Sequence, residues 1–130
     1  MRSAVLSAAV LIGAAALHIA PAGAHHSFAT QYDANAPVTL TGVVTKVEWT
    51  NPHARFYVDV ADGDGVTNWN LELASPNVLR RNGWARDSLK VGDEVTVEGS
   101  AARSGANMAN ARTVRLADGT RVFARGPEDD

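Results

Sequence analysis

Val66-Thr67-Asn68-Trp69-Asn70-Leu71-Glu72-Leu73-Ala74-Ser75-Pro76-Asn77-Val78-Leu79-Arg80-Arg81-Asn82-Gly83 changes its period once, and that change decides the fold. Its first half alternates. Trp69, Leu71 and Leu73 fall on one face and Asn68, Asn70 and Glu72 on the other, the pattern of a half-buried strand from Val66 to Leu73. Ser75 then reads as a helix N-cap with Pro76 at the first helical position. Asn77 to Asn82 forms a short helix anchored by Val78 and Leu79, and Arg80 and Arg81 suit its C-terminal dipole. Gly83 supplies the left-handed exit.

Upstream lie two more strands. Val38, Leu40, Gly42 and Val44 alternate with Thr39, Thr41, Val43 and Thr45 in a run that continues to Trp49, with Gly42 allowing a sharp bend. Thr50-Asn51-Pro52 stops it. From Ala54 to Val60, Phe56 and Val58 point one way and Tyr57 and Asp59 the other. Asp62-Gly63-Asp64-Gly65 is the hairpin turn into the third strand. Downstream, Leu89-Lys90-Val91-Gly92-Asp93 turns into a fourth strand, Glu94 to Gly99. Ala101 to Ala109 is a small, polar, mobile loop. A fifth strand covers Ala111 to Leu116, and Arg121 to Ala124 returns across an Asp118-Gly119 turn.

Three strands, one short helix and two strands with a terminal extra predict an all-β fold: a small OB-like barrel of five to six strands, with its helix between strands three and four. Closure removes the sheet edges that a small domain without disulfides must protect. The chain has no cysteine, so thiolate metal sites, thiol catalysis and haem attachment through thioethers are all excluded.

The first residues read differently. Arg2 is a basic n-region, Ala4 to Ala20 an apolar stretch, and Ala22-Gly23-Ala24 a small-x-small cleavage signal. The expected organisation is a signal peptide over 1–24, an extended N-terminal segment over 25–37, the barrel over 38–125 and an acidic tail over 126–130. That address is periplasmic or secreted, with no membrane span left after cleavage. The 130-residue chain carries a formal net charge of −2. Such a balance argues against a nucleic-acid partner, which needs a positive surface to neutralise phosphates.

Cleavage after Ala24 makes His25 the first residue, carrying an amine and an imidazole together. His25, His26 and His53 are the candidate metal ligands. Neutral imidazole is the commonest metal ligand, and a tetragonal nitrogen set favours copper, with zinc as the other choice. Cleavage one residue earlier leaves Ala24-His25-His26, with His in third position, also a chelating terminus. His53 follows Asn51-Pro52 at a strand-to-strand turn and so stands on a pinned backbone. Asp33 and Glu48 are candidates to orient an imidazole or add oxygen. Trp49 and Trp84, at element ends, are candidates to line a ligand groove. The competing readings are a terminus that chelates adventitiously, surface carboxylates and core aromatics.

No Gly-x-Ser-x-Gly, phosphate loop or His-Glu-x-x-His occurs. Asp62 and Asp64 lack the spacing and distal Glu of an EF-hand.

Four stretches taken together, His25-His26-Ser27-Phe28 with Tyr32-Asp33, Gly42 to Val47-Glu48-Trp49, Asn51-Pro52-His53, and Trp69 to Glu72 with Ser75-Pro76, Leu79 and Gly83-Trp84, resemble a family of small exported Gram-negative bacterial proteins without assigned function. The resemblance runs from His25 to about Phe123. It implies an exported single domain with an OB-like barrel, and it imports no activity.

Three readings of function stand beside one another. The first is a non-enzymatic exported domain binding a metal or small ligand through its histidines. The second is an envelope module for protein or glycan, with incidental histidines. The third is a copper-dependent redox enzyme with an N-terminal His brace.

Overall fold

The computed structural model describes residues 28–123. The expected signal peptide, His25, His26 and the acidic tail lie outside the described residues. Residues 28–31 are helical and not extended as expected; among the described residues six strands and a short helix then follow in order: β1 (Tyr32–Glu48), β2 (Arg55–Asp62), β3 (Gly65–Glu72), α1 (Pro76–Arg81), β4 (Glu94–Ala102), β5 (Met108–Leu116) and β6 (Arg121–Phe123).

The strands form one sheet in the order β3-β2-β1-β4-β5-β6. A parallel pairing of β3 with β5, through Asn70↔Met108, Leu71↔Ala109 and Glu72↔Asn110, closes it into a barrel. All other pairings are antiparallel. This is the expected OB-like barrel, with β6 as a short added edge.

Alternation sorts the side chains. Leu40, Val44, Phe56, Val58, Leu71, Val95, Val97 and Val114 point inward and are buried. Leu79 of α1 and Leu73 join the same core, so the helix covers one end of the barrel. Ser75 caps α1 as its sequence promised, its hydroxyl accepting from the Val78 N–H at 3.3 Å. An N-cap of this kind is worth about 1 kcal/mol.

Three boundaries differ from expectation. β1 starts at Tyr32 rather than Val38, because a register shift between Tyr32 and Pro37 absorbs the turn-forming residues within a paired strand. Asp33 makes that shift locally comfortable, its carboxylate accepting from the Asn35 N–H at 2.9 Å. The loop expected over 101–109 is shorter, since β4 runs to Ala102 and β5 begins at Met108. Small residues there serve pairing: Ala109 and Ala111 are fully buried against the barrel interior. Gly42 does not act through an unusual backbone angle. A Cβ on Gly42 would run into the Asp59 backbone oxygen and the Val58 side chain, so the glycine permits close approach of β1 to β2.

Candidate functional site

On β3, Leu71 faces the interior, so Asn70 and Glu72 face outward. An outward carboxylate on a barrel is ordinarily solvated. Glu72 is instead only 6% exposed. Tyr32, 1% exposed, lies against it and donates its phenolic hydrogen to Glu72 Oε2 at 2.9 Å.

The segment that carries Tyr32 is held from the other side. The Arg103 N–H donates to the Gln31 carbonyl at 2.9 Å. Arg103 Nε donates to the Ala29 carbonyl at 2.7 Å, and its Nη1 lies 3.6 Å from the Asp33 carboxylate. The Phe28 ring packs on the Tyr32 ring with centroids 5.8 Å apart. The N-terminal segment is thereby laid over the outer face of the barrel.

Arg55 stands directly opposite Glu72 in the β2–β3 register. Its Nη2 donates to Glu72 Oε2 at 2.6 Å, and its Nη1 to Asn70 Oδ1 at 3.2 Å. A desolvated carboxylate needs such charge-assisted partners to offset its lost hydration. Tyr32 responds to the same surroundings. Burial, then the negative charge of Glu72 and the hydrogen bond to it, push the phenol up to about 12, with Arg55 opposing. At neutral pH the phenol is therefore a fixed donor.

The other Glu72 oxygen, Oε1, lies 3.8 Å from His53 Nδ1. His53 Nδ1 is also 3.1 Å from the Leu73 carbonyl. A carbonyl only accepts, so this contact places the proton on Nδ1 of the neutral ring and leaves the lone pair on Nε2. The His53 side chain is 47% exposed. Its half-exposed ring is thus held at Nδ1 by one carbonyl beside one buried carboxylate.

The remaining candidates go elsewhere. Asp33 pairs with Arg103. Glu48 is ion-paired with Lys46 at 2.7 Å. Trp49 is half-buried with the Arg80 guanidinium 5.9 Å from its ring centroid, and its buried Nε1 has no acceptor among the described residues. Trp84, a candidate ligand aromatic, is 4% exposed and belongs to the core. It borders an apolar cavity of about 260 Å³ with Leu89, Val114 and Leu116. Neither Asp33 nor Glu48 contacts His53.

Sequence reading missed Tyr32, Arg55 and Glu72 as a unit. Its alternation placed Glu72 correctly on the polar face, but only pairing brings Arg55 beside it and only the N-terminal segment covers it. Among the described residues no group of three or more His, Asp or Glu side chains gathers to hold a metal. No described helix is long and apolar enough to cross a membrane.

A family model described as a family of unknown function, DUF6152, matches residues 13–111. No curated protein sequence matches the chain. Among solved structures, the mitochondrial single-stranded DNA binding protein Rim1 of S. cerevisiae superposes with a TM-score of 0.50 at 13% identity. The match covers 63% of this chain and 93% of that one. At that identity the likeness establishes the fold alone.

Proposed function

Starting from a chain that belongs to the DUF6152 family, whose function is unknown, we propose an exported, non-enzymatic OB-like domain that binds a transition metal, copper or zinc, through His53 together with His25 and His26. The observation that carries this reading is the mounting of His53. Its Nδ1 is committed to the Leu73 carbonyl beside Glu72, which frees Nε2 as a ligand. Metal-ligating histidines characteristically have their second nitrogen held by a carbonyl or carboxylate in this way.

The path of the chain supports the same reading. Phe28 packs on Tyr32, Tyr32 donates to Glu72, and Glu72 lies beside His53. His26 and His25 precede Phe28 by two and three positions. Three residues span at most about 10 Å, enough to bring an imidazole from Phe28 toward His53. An amine and imidazole from His25 with the His53 ring would supply the nitrogen set that copper prefers. Single-stranded DNA, which the yeast neighbour binds, is not carried over, since 13% identity transfers a fold and no ligand.

The test uses protein beginning at His25, titrated with Cu(II) and followed by calorimetry and electron paramagnetic resonance. His53→Ala is expected to weaken binding at least tenfold and remove one coupled nitrogen. Glu72→Gln is expected to weaken it about tenfold, the usual effect of losing an orienting partner. Identical affinity and spectra for His53→Ala and the parent overturn the reading, leaving a chelating terminus alone.

A further inference from the structure

The parallel pairing that closes the barrel covers only Asn70 to Glu72 of β3. The stretch before it, Gly65-Val66-Thr67-Asn68-Trp69, pairs with β2 on one side. Its other edge meets no strand among the described residues. Parity decides which backbone groups that edge exposes. Gly63 and Asp64 form a two-residue turn, so Asp62 and Gly65 close the hairpin as a hydrogen-bonded pair. The Leu73 N–H donates to the Ala54 carbonyl at 2.9 Å, while the Asn70 N–H turns the other way, to the Asn107 carbonyl at 3.0 Å. Odd-numbered residues of β3 therefore bond to β2, and even-numbered ones direct their N–H and C=O to the opposite edge. From Asn70 onward β5 takes that edge. Val66 and Asn68 direct theirs out of the sheet, and both residues are exposed.

Edge strands are ordinarily blunted by brevity, charge, proline or a bulge. β6 follows that rule, being three residues long and opening on Arg121. Gly65 to Trp69 does not. It holds no charged residue and no proline, and its register with β2 runs without a shift. Val66 is 66% exposed. Such an edge is a template for another strand.

We propose that this edge pairs antiparallel with the same edge of a second copy of the chain, about a two-fold axis at Thr67. In that register Val66 of each copy stands opposite Asn68 of the other, and every outward N–H and C=O of both residues gains a partner. Centring the pair on Val66 or on Asn68 would instead set one of them against Asp64 in the turn or against Asn70, which β5 already holds. Charge fits the register centred on Thr67. It places Asp64, which makes no ion pair among the described residues, opposite Asn70 of the second copy. Asn70 Oδ1 accepts from Arg55 Nη1 at 3.2 Å, so each Asp64 approaches a guanidinium of the other copy. No like charges stand opposite. Trp69, partly buried, meets Gly65 of the second copy, where no side chain obstructs the indole. Each strand reaches its own Gly63-Asp64 turn where β5 of the other copy takes over the edge, so the two fit end to end. The contact is small, and the dimer is accordingly weak and concentration-dependent. Val66 lies six residues from Glu72, about 20 Å along the strand, so pairing leaves the surroundings of His53 open and is independent of metal binding.

The test uses protein beginning at His25, with chelator present so that no metal bridges two copies. Sedimentation is expected to show a mass rising from monomer toward dimer between about 10 μM and about 1 mM. Val66→Pro removes an outward N–H and leaves the bonds to β2 in place, and is expected to raise the dimer Kd at least tenfold with an unchanged far-ultraviolet spectrum. Because the chain has no cysteine, Thr67→Cys puts a lone thiol on the proposed axis. There the two Cα atoms stand about 4.5 Å apart, within disulfide range. Its oxidative cross-linking is expected to run at least tenfold faster than that of Val66→Cys, whose Cα atoms the same register sets roughly 8 Å apart. A monomer at every concentration overturns the proposal and leaves the edge for an extended segment of another protein. A dimer that Val66→Pro leaves intact, or equal cross-linking at the two positions, overturns it as well.

Discussion

Tyr32 and Glu72 lie 40 positions apart and meet at 2.9 Å, phenol donating to carboxylate, on the outside of the barrel. Both are buried there. The contact matters because the sheet alone would leave Glu72 in water with Arg55 as a surface pair. Covered by Tyr32, the carboxylate becomes a desolvated anchor shared by a phenol, a guanidinium and, at 3.8 Å, an imidazole. Tyr32 therefore contributes to the environment of His53 through Glu72.

Removing the phenolic oxygen tests that anchor. Tyr32→Phe keeps the ring and its packing on Phe28, and leaves Arg55 on the carboxylate. Hydrogen bonds to charged groups contribute about 1.5–3 kcal/mol, and the surviving partner puts this one near the lower end, about 1.5 kcal/mol. Urea unfolding should show that loss as a lower midpoint with an unchanged slope. A loss under about 0.5 kcal/mol would mean that water replaces the phenol without penalty.

Alkaline stability follows from the same contact. The Tyr32 phenol sits at about 12 in the folded chain against an ordinary value of 10.0. The fold favours the neutral form, so the group's stabilisation is complete below pH 10 and is lost as pH rises through 12. Between those values the unfolded chain releases a proton that the folded chain keeps. Unfolding free energies measured at pH 9 and pH 11.5 should fall between those values by on the order of 2 kcal/mol more in the parent than in Tyr32→Phe. Parallel pH profiles for the two proteins would refute the assignment.

β1 approaches β2 through a glycine, and filling that space should be costly. Gly42→Ala forces a methyl against the Asp59 backbone oxygen and the Val58 side chain, and backbone cannot rotate aside. Overpacking of this kind costs about 2–3 kcal/mol. Gly63 provides the contrast. It has a φ of 59° with open space where a Cβ would stand, so Gly63→Asn should change stability by less than about 0.5 kcal/mol. A loss at Gly42 no larger than that at Gly63 in thermal unfolding would show that close strand approach does not make Gly42 necessary.

Much of the barrel was legible in the chain. Val66 to Leu73 alternates with a period of two, Ser75-Pro76 announces the helix, and Asp62-Gly63-Asp64-Gly65 turns between strands, because each signal depends on neighbours in sequence. The strand ends at Tyr32, Ala102 and Met108 were not legible. They extend into polar or small residues that pair only because a partner strand is already there. Trp84 was ambiguous for a related reason: an aromatic at an element end is buried or exposed according to what folds over it.

The candidate site divides along the same line. His53 stood out as an imidazole on a proline-bounded turn. Its orienting partners did not, since Glu72 reads as one more polar residue on the outer face of a strand.

The sequence by itself determined an all-β barrel with one short helix, a chain without thiol chemistry, and the imidazoles available as ligands. Those properties reside in residue type and local periodicity. Only the tertiary structure decided that Glu72 is buried, that Tyr32 and Arg55 share its oxygen, and that His53 Nδ1 meets the Leu73 carbonyl. Burial and tautomer are set by contacts between segments tens of residues apart, which exist only once β3 pairs with β2 and the N-terminal segment folds across them.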